Sequence, residues 1–356
     1  MTSFTCARSG AAVKVVMEDS AKQRREESAF VFEAKALRNP FVSEYSIFYL
    51  TILYFFALAP FTPGLASTEN AANIFSNLLP LLIVALGQTV VLITGGIDLS
   101  VTSTIALSSV MGAMVMSGDQ GWLGGSRWAT IAGVVVMLLI GAVVGLFNGA
   151  AITIFRMPAF IVTLTTMMFA SGLAIWLTKS KTIYNLPPSF NAIGKGSVFI
   201  VPYALVVTAL LAVALHVMLS RSLAGRWLYA IGHNAKAAVV SGVPVGRTTR
   251  LAYVISGLCA AAASILYTGR METGSPVLGQ RILLDVIGAA VIGGTSLFGG
   301  RGKVIWTVCG VLFITLIDNS LNMLGLSYFF IMMVKGGVIL LAALLDAWRN
   351  RLLAGR

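Results

Sequence analysis

Residues 128–153, WATIAGVVVMLLIGAVVGLFNGAAIT, run for 26 residues without a single charge. A helix that is apolar on every side finds its solvent in hydrocarbon, where each backbone N–H and C=O must be satisfied inside the segment itself. About 20 such residues cross a bilayer. Nine more apolar segments can be traced, near 45–66, 72–94, 100–117, 158–178, 198–219, 249–268, 283–298, 303–326 and 327–346. The segments at 100–117 and 283–298 are short for a straight crossing. Only 11% of the chain is charged, against about 25% in a soluble domain. The expected fold class is therefore an all-α integral membrane protein with about ten transmembrane helices.

Ten crossings place both termini on one side. With the N-terminus inside, the inner segments hold 18 Lys and Arg and the outer loops six, with Lys335 inside a span. Cytoplasmic loops collect basic residues, so both termini are expected in the cytoplasm. This sidedness accounts for the net charge of +12 better than nucleic-acid binding does. Residues 1–44 carry seven basic and six acidic residues and no long apolar core. They read as a cytoplasmic extension ahead of a transmembrane domain over 45–350, which a short cytoplasmic tail, 351–356, follows.

Chemistry-bearing motifs are sparse. GGTSLFGGRGK (293–303) looks like a phosphate-binding loop, but Leu297 stands where the first glycine belongs and Val304 follows Lys303, so the pattern fails. Cys6, Cys259 and Cys309 are far apart, and His216 and His233 are the only histidines. No metal site and no cofactor are expected, and the groups for a membrane-embedded enzyme are too few. ATP hydrolysis, if used, belongs to another chain.

The polar islands are more informative. In VLITGGIDLSVTST (91–104), Gly95 or Gly96 can end one helix in the left-handed conformation. Asp98 can cap the next, with Ser100 as a competing cap. A capped turn and direct ligand contact both fit. GGTSLFGG (293–300) repeats the look, with Gly293, Gly294 and Ser296 in place of Gly95, Gly96 and Asp98. Asp285, Asp318 and Lys335 also lie in apolar segments. Asp318 and Lys335 sit on adjacent spans and can pair, as a structural tie, a substrate contact or a proton relay. Segments 145–167 and 315–337 share an outline of apolar helix end, asparagine (Asn148, Asn319), break and aromatic-led helix. The five-span offset is odd, as in inverted repeats. The loop 220–250 has five basic residues and no acidic one. It holds a short helix that Asn234 can cap, with Ala237, Val239 and Val240 on an apolar side. That side suits a protein partner or the lipid interface.

Four of these segments carry a resemblance to the transmembrane permease subunits of bacterial ATP-binding-cassette sugar importers, the group of ribose, arabinose, xylose and galactose permeases. They are GGIDLSVTS (95–103), GRWLYAIGHNAKAAVVSGVPV (225–245), LLDVIGAAVIGGTSLFGGRGKV (283–304) and YFFIMMVKGGVILLAALLD (328–346), and the likeness extends over about 45–350. Thr102 replaces a glycine of the family's GGIDLSVGS, and Lys236 stands where the broader importer motif has a glutamate. The resemblance implies a type II-like importer permease in the bacterial inner membrane. It implies a second permease chain, identical or homologous, two cytoplasmic ATPase subunits, and a periplasmic sugar-binding protein. The segment with Asn234, Lys236, Ala237, Ala238, Ser241 and Gly242 would be the coupling helix that docks on the ATPase. The rival function is a proton-coupled secondary transporter using Asp98, Asp318 or Lys335.

Overall fold

The computed structural model describes residues 46–119, 121–199 and 201–354. The N-terminal extension read from the sequence, 1–44, lies outside them. Residues 51–356 group as one compact unit. Among the described residues the regular structure is helical apart from a two-residue-per-strand hairpin, β1 (Ser197–Val198) and β2 (Val201–Pro202), and a bridge between Ile183 and Gly274.

Its helices are α1 (Ser46–Leu58), α2 (Thr68–Ile93), α3 (Val101–Met116), α4 (Ala129–Ile154), α5 (Ala159–Thr178) and α6 (Pro188–Lys195). After the hairpin follow α7 (Tyr203–Arg221), α8 (Leu223–His233), α9 (Ala235–Val240), α10 (Val245–Met271), α11 (Leu283–Ile292), α12 (Val304–Met323) and α13 (Tyr328–Ala354). Seven of these are long and apolar enough to cross a membrane: α2, α4, α5, α7, α10, α12 and α13. The shorter apolar helices are α1, α3 and α11. Together they account for the ten apolar segments, and the two expected to be short, α3 and α11, are short. Three span ends differ most from the sequence reading, and that of α11 falls at Ile292 rather than near 298. The first span ends at Leu58, because Pro60, Pro63 and Gly64 follow and break the helix. The last helix runs on to Ala354, so residues 351–354 continue it rather than forming a separate tail.

Burial sorts the helices into layers. In the most apolar window of α2, 89% of residues are buried, against 11% in α13. α2, α10 and α12 form the centre. α4, α5, α7 and α13 surround it and turn Leu139, Phe169, Trp176, Leu210 and Leu341 outward, where lipid tails are the natural neighbours. With no hydrophobic force between helices in lipid, close backbone contact holds such a bundle together. Gly141, Gly145 and Gly149 recur every fourth residue on α4 and lie against α10. A methyl group on Gly141 would overlap the Gly257 carbonyl, and one on Gly145 the Tyr253 carbonyl.

The packing obeys a five-span offset. α3 packs on α4 and α5, and α11 packs on α12 and α13. α4 packs on α5 as α12 packs on α13. α2 meets α11 and α12, while α10 meets α3 and α4, and α2 meets α10 at the centre. The helices of the second to fifth spans thus pack in the same order as those of the seventh to tenth. The polar details differ: Asn148 bonds within the first set, whereas Asn319 exchanges amide hydrogen bonds with Asn70 of α2 at 2.8 and 2.9 Å.

Candidate functional site

α2 is capped at its C-terminal end by Thr94, and Gly95 follows with φ +77°. The Gly95 N–H bonds the Leu92 carbonyl at 2.8 Å, and the Gly96 N–H bonds the Val91 carbonyl at 3.3 Å. These two bonds satisfy helix-end carbonyls in the Schellman pattern, which asks for a left-handed residue where glycine stands. Gly96 has a different reason to lack a side chain: a methyl group there would meet the Tyr253 hydroxyl.

Asp98 does not cap α3. Its Oδ1 accepts from the Ser100 N–H at 3.0 Å and the Ser100 hydroxyl at 2.6 Å, and its Oδ2 accepts from the Ser256 hydroxyl of α10 at 2.8 Å. This is a turn closed two residues on, because Asp98 lies too far ahead of Val101 to reach the first helical N–H groups. Ser100 occupies the cap position but makes no side-chain cap bond, since its hydroxyl is spent on Asp98. Asp98 is 1% exposed, so its carboxylate is closed off from solvent in this conformation.

The turn is held from every side. Asn148 of α4 donates Nδ2 to the Ser100 hydroxyl at 2.8 Å and accepts from Thr166 of α5 at 2.7 Å. Gln88, with its amide oriented to satisfy both groups, donates to the Asp98 carbonyl at 3.1 Å and accepts the Asp98 N–H at 3.3 Å. Thr163 and Tyr253 both donate to the Ile97 carbonyl. Helices α2, α3, α4, α5 and α10 thus converge on one seven-residue break.

The second break repeats the helix ending with a shift of one residue. α11 ends at Gly293, and the left-handed residue is Gly294, φ +83°. The N–H groups of Gly294 and Thr295 bond the Val291 and Ala290 carbonyls at 2.8 and 3.0 Å. In this register Ser296 matches Ile97, not Asp98, although its hydroxyl also accepts an N–H two residues on, from Phe298 at 3.2 Å. The two breaks touch. The Gly300 N–H bonds the Ile93 carbonyl at 2.9 Å.

The loop between α7 and α10 lies at the same end of the bundle. α8 rests on both breaks through Gly232, and the Tyr229 hydroxyl donates to the Gly302 carbonyl at 2.6 Å. Burial pushes the Tyr229 phenol above its ordinary pKa, which keeps it a donor. One residue later α9 begins. The Asn234 side chain accepts from the Ala237 N–H at 3.0 Å, a cap expected from the sequence. Gly242, φ +78°, closes α9 with bonds from the Gly242 and Val243 N–H groups to the Val239 and Ala238 carbonyls, both 3.0 Å. Lys236, Ala237 and Ser241 are exposed, and Val239 and Val240 are 60% and 90% exposed. Ala238 is 4% exposed and faces the protein, so it supports the outward face rather than forming part of it.

Lys335 joins three helices. Its Nζ lies 3.0 Å from Asp285 Oδ2 of α11 and 3.0 Å from Asp318 Oδ1 of α12. The expected pair is therefore a triad. The Lys335 and Asp285 side chains are 10% and 16% exposed, and that of Asp318 is 49% exposed.

Residues 70–343 match a family described as the permease component of the branched-chain amino acid transport system. The chain belongs to this permease family. The permease is also 38% identical over 287 residues to the ribose import permease protein of Bacillus subtilis, covering 80% of this chain and 86% of that one. Identity is 33% over 290 residues to the ribose import permease protein of Escherichia coli (80% and 88% covered). It is 34% over 308 residues to the L-arabinose transport system permease protein of Escherichia coli (86% and 92% covered). No solved structure matches. The family match and these relatives make the chain a transmembrane permease component of an ATP-binding-cassette transporter, and so a transport subunit.

Sequence reasoning missed Gln88, Ser256 and Tyr253 of the permease. A glutamine and a serine inside apolar spans are the available signal, since a polar group buried in a span needs a partner. That the partner is the same aspartate is visible only in three dimensions.

Proposed function

We propose that the permease forms, with a second identical or homologous chain, the path by which a monosaccharide or related polyol enters the cell. Its place is the bacterial inner membrane, with both termini in the cytoplasm. Separate ATPase subunits bind at α9, and a periplasmic binding protein delivers the sugar on the opposite face. The observation that carries this reading is α9 itself. It is six residues long, closed at both ends by its own hydrogen bonds, and offers two bare valines beside the basic loop. An apolar knob this exposed suits a partner's pocket. The sugar class rests on the names of the ribose and arabinose relatives.

Transport then needs only a difference. ATP on the partner subunits and the loaded binding protein must favour the same conformation of the path. The breaks at 94–100 and 293–303 are where the helices can re-aim, because their backbone bonds are local rather than part of a continuous ladder.

The test is Val240→Glu in the full chain, co-expressed with its transporter's ATPase. A carboxylate pressed into an apolar contact is expected to lower recovery of the ATPase at least about tenfold while membrane insertion stays normal. Recovery at the parental level removes the docking assignment. Ribose or arabinose uptake by vesicles that hold a pH gradient and no ATP would favour the proton-coupled alternative.

A further inference from the structure

Three segments that are remote in sequence meet backbone to backbone at one end of the bundle. They are the end of α2, the last turn of α8 and the loop 298–302. The Ile93 carbonyl is among the last four of α2, which lack partners within their own helix, and the Gly300 N–H supplies one. Gly232 of α8 fits against both: a methyl group there would overlap the Ile93 carbonyl oxygen and the Gly300 nitrogen. One on Gly299 would press on the backbone of Gly95 and the Gly232 carbonyl. Tyr229 lies three residues before Gly232, hence on the same face of α8, and its hydroxyl holds the Gly302 carbonyl at 2.6 Å.

Such a junction is stiff. Where side chains separate two helices, a rotamer change can absorb a small displacement. Here the backbones themselves touch, with no rotatable group between them. Only Asn234 separates α8 from α9, and the Asn234 N–H still bonds the Ala230 carbonyl at 3.1 Å. A shift of α9 therefore moves the end of α8. On the far side, Ile93 is one residue from the break that contains Asp98, and that break joins five helices.

We propose that Tyr229 and Gly232 are positioning residues for transport, keying α8 to both helix breaks so that displacement of α9 reaches the Asp98 turn and the loop 298–302. This rests on the reading of α9 as the ATPase docking element. Neither residue touches the solute. A purely structural role would instead lower stability, hydrolysis and uptake together.

Tyr229→Phe separates these cases, because it keeps the ring and removes only the hydrogen bond. In the full-length transporter, the variant is expected to retain its ATPase and its ATP hydrolysis. Uptake of labelled ribose or arabinose per ATP hydrolysed should fall about fivefold, the factor that the loss of one hydrogen bond supplies. An unchanged ratio overturns the proposal. Hydrogen exchange of the permease alone in detergent gives a second readout, independent of any ATPase. Amides of 298–303 should exchange about fivefold faster in Tyr229→Phe while those of α4 and α5 stay as they were. Equal exchange at 298–303 also overturns the proposal. If the parental chain fails to retain the ATPase, the docking reading is what fails, and the exchange result decides the junction by itself. Gly232→Ala has no room for its methyl group and tests the close fit alone: it should lose folded yield, while Gly246→Ala, whose methyl group would meet only Thr153 at 3.9 Å, keeps it.

Discussion

Asp98 spends both carboxylate oxygens on neutral donors of its own chain, and that fixes what its replacement should do. Asp98→Ala leaves the Ser100 N–H and two hydroxyls buried without an acceptor, at about 1–3 kcal/mol for each group left unsatisfied. Asp98→Asn keeps the shape, and the Ser256 hydroxyl can turn to accept from the new amide. The alanine variant should therefore melt well below the asparagine variant in detergent, with Ser256→Ala between them. If Asp98→Asn melts normally yet takes up no sugar, the carboxylate acts beyond bracing. The glycine and aspartate of GGIDLS were legible as a helix break because their conformational preferences are local. Asp98 fails as a cap for a local reason, its distance ahead of Val101; its second partner, Ser256, is 158 residues away and leaves no local signal.

Among the elements, α11, α12 and α13 depend on one lysine. Replacing Lys335 with Met strands Asp285 in a mostly buried site, and breaking such a pair by removing one partner costs about 3–5 kcal/mol. Replacing both Lys335 and Asp285 with apolar residues of similar volume should restore much of that stability. Asp318→Asn should cost under about 1 kcal/mol, since its side chain is half exposed and solvent weakens the pairing. Thermal unfolding of the three variants in detergent checks the order. Adjacency of the last two spans made Asp318 and Lys335 a natural pair in the sequence. Asp285 was visible as a buried charge, but its distance of 50 residues hid the partnership. Most span boundaries were legible to within a few residues, with larger misses at the ends of α1, α11 and α13, because hydropathy is a property of each segment alone, and packing is not.

At the scale of the whole molecule, ten crossings with the N-terminus inside would place 18 basic residues on the inner side and six on the outer. With the bias acting as it does elsewhere, Ser126→Cys should react with a membrane-impermeant thiol reagent added outside, and Ser241→Cys should not. Both positions are exposed, and Cys259 is buried. The opposite pattern reverses the assigned orientation. The five-span offset was only an outline in the sequence because the two halves share packing without sharing polar detail.

The lysine triad also bears on how the chain is made. Helices leave the ribosome in order, so Asp285 and Asp318 reach the membrane before Lys335 does. A lone lysine mid-helix opposes insertion by about 2.5–3.5 kcal/mol. For α13 that opposition meets two acids already in place at the right depth. The last helix thus has a reason to wait for its predecessors, and a chain stopped before residue 328 would hold those acids with no cation to receive them. Only a chain that stops between Asp285 and Lys335 would carry such an unmatched charge.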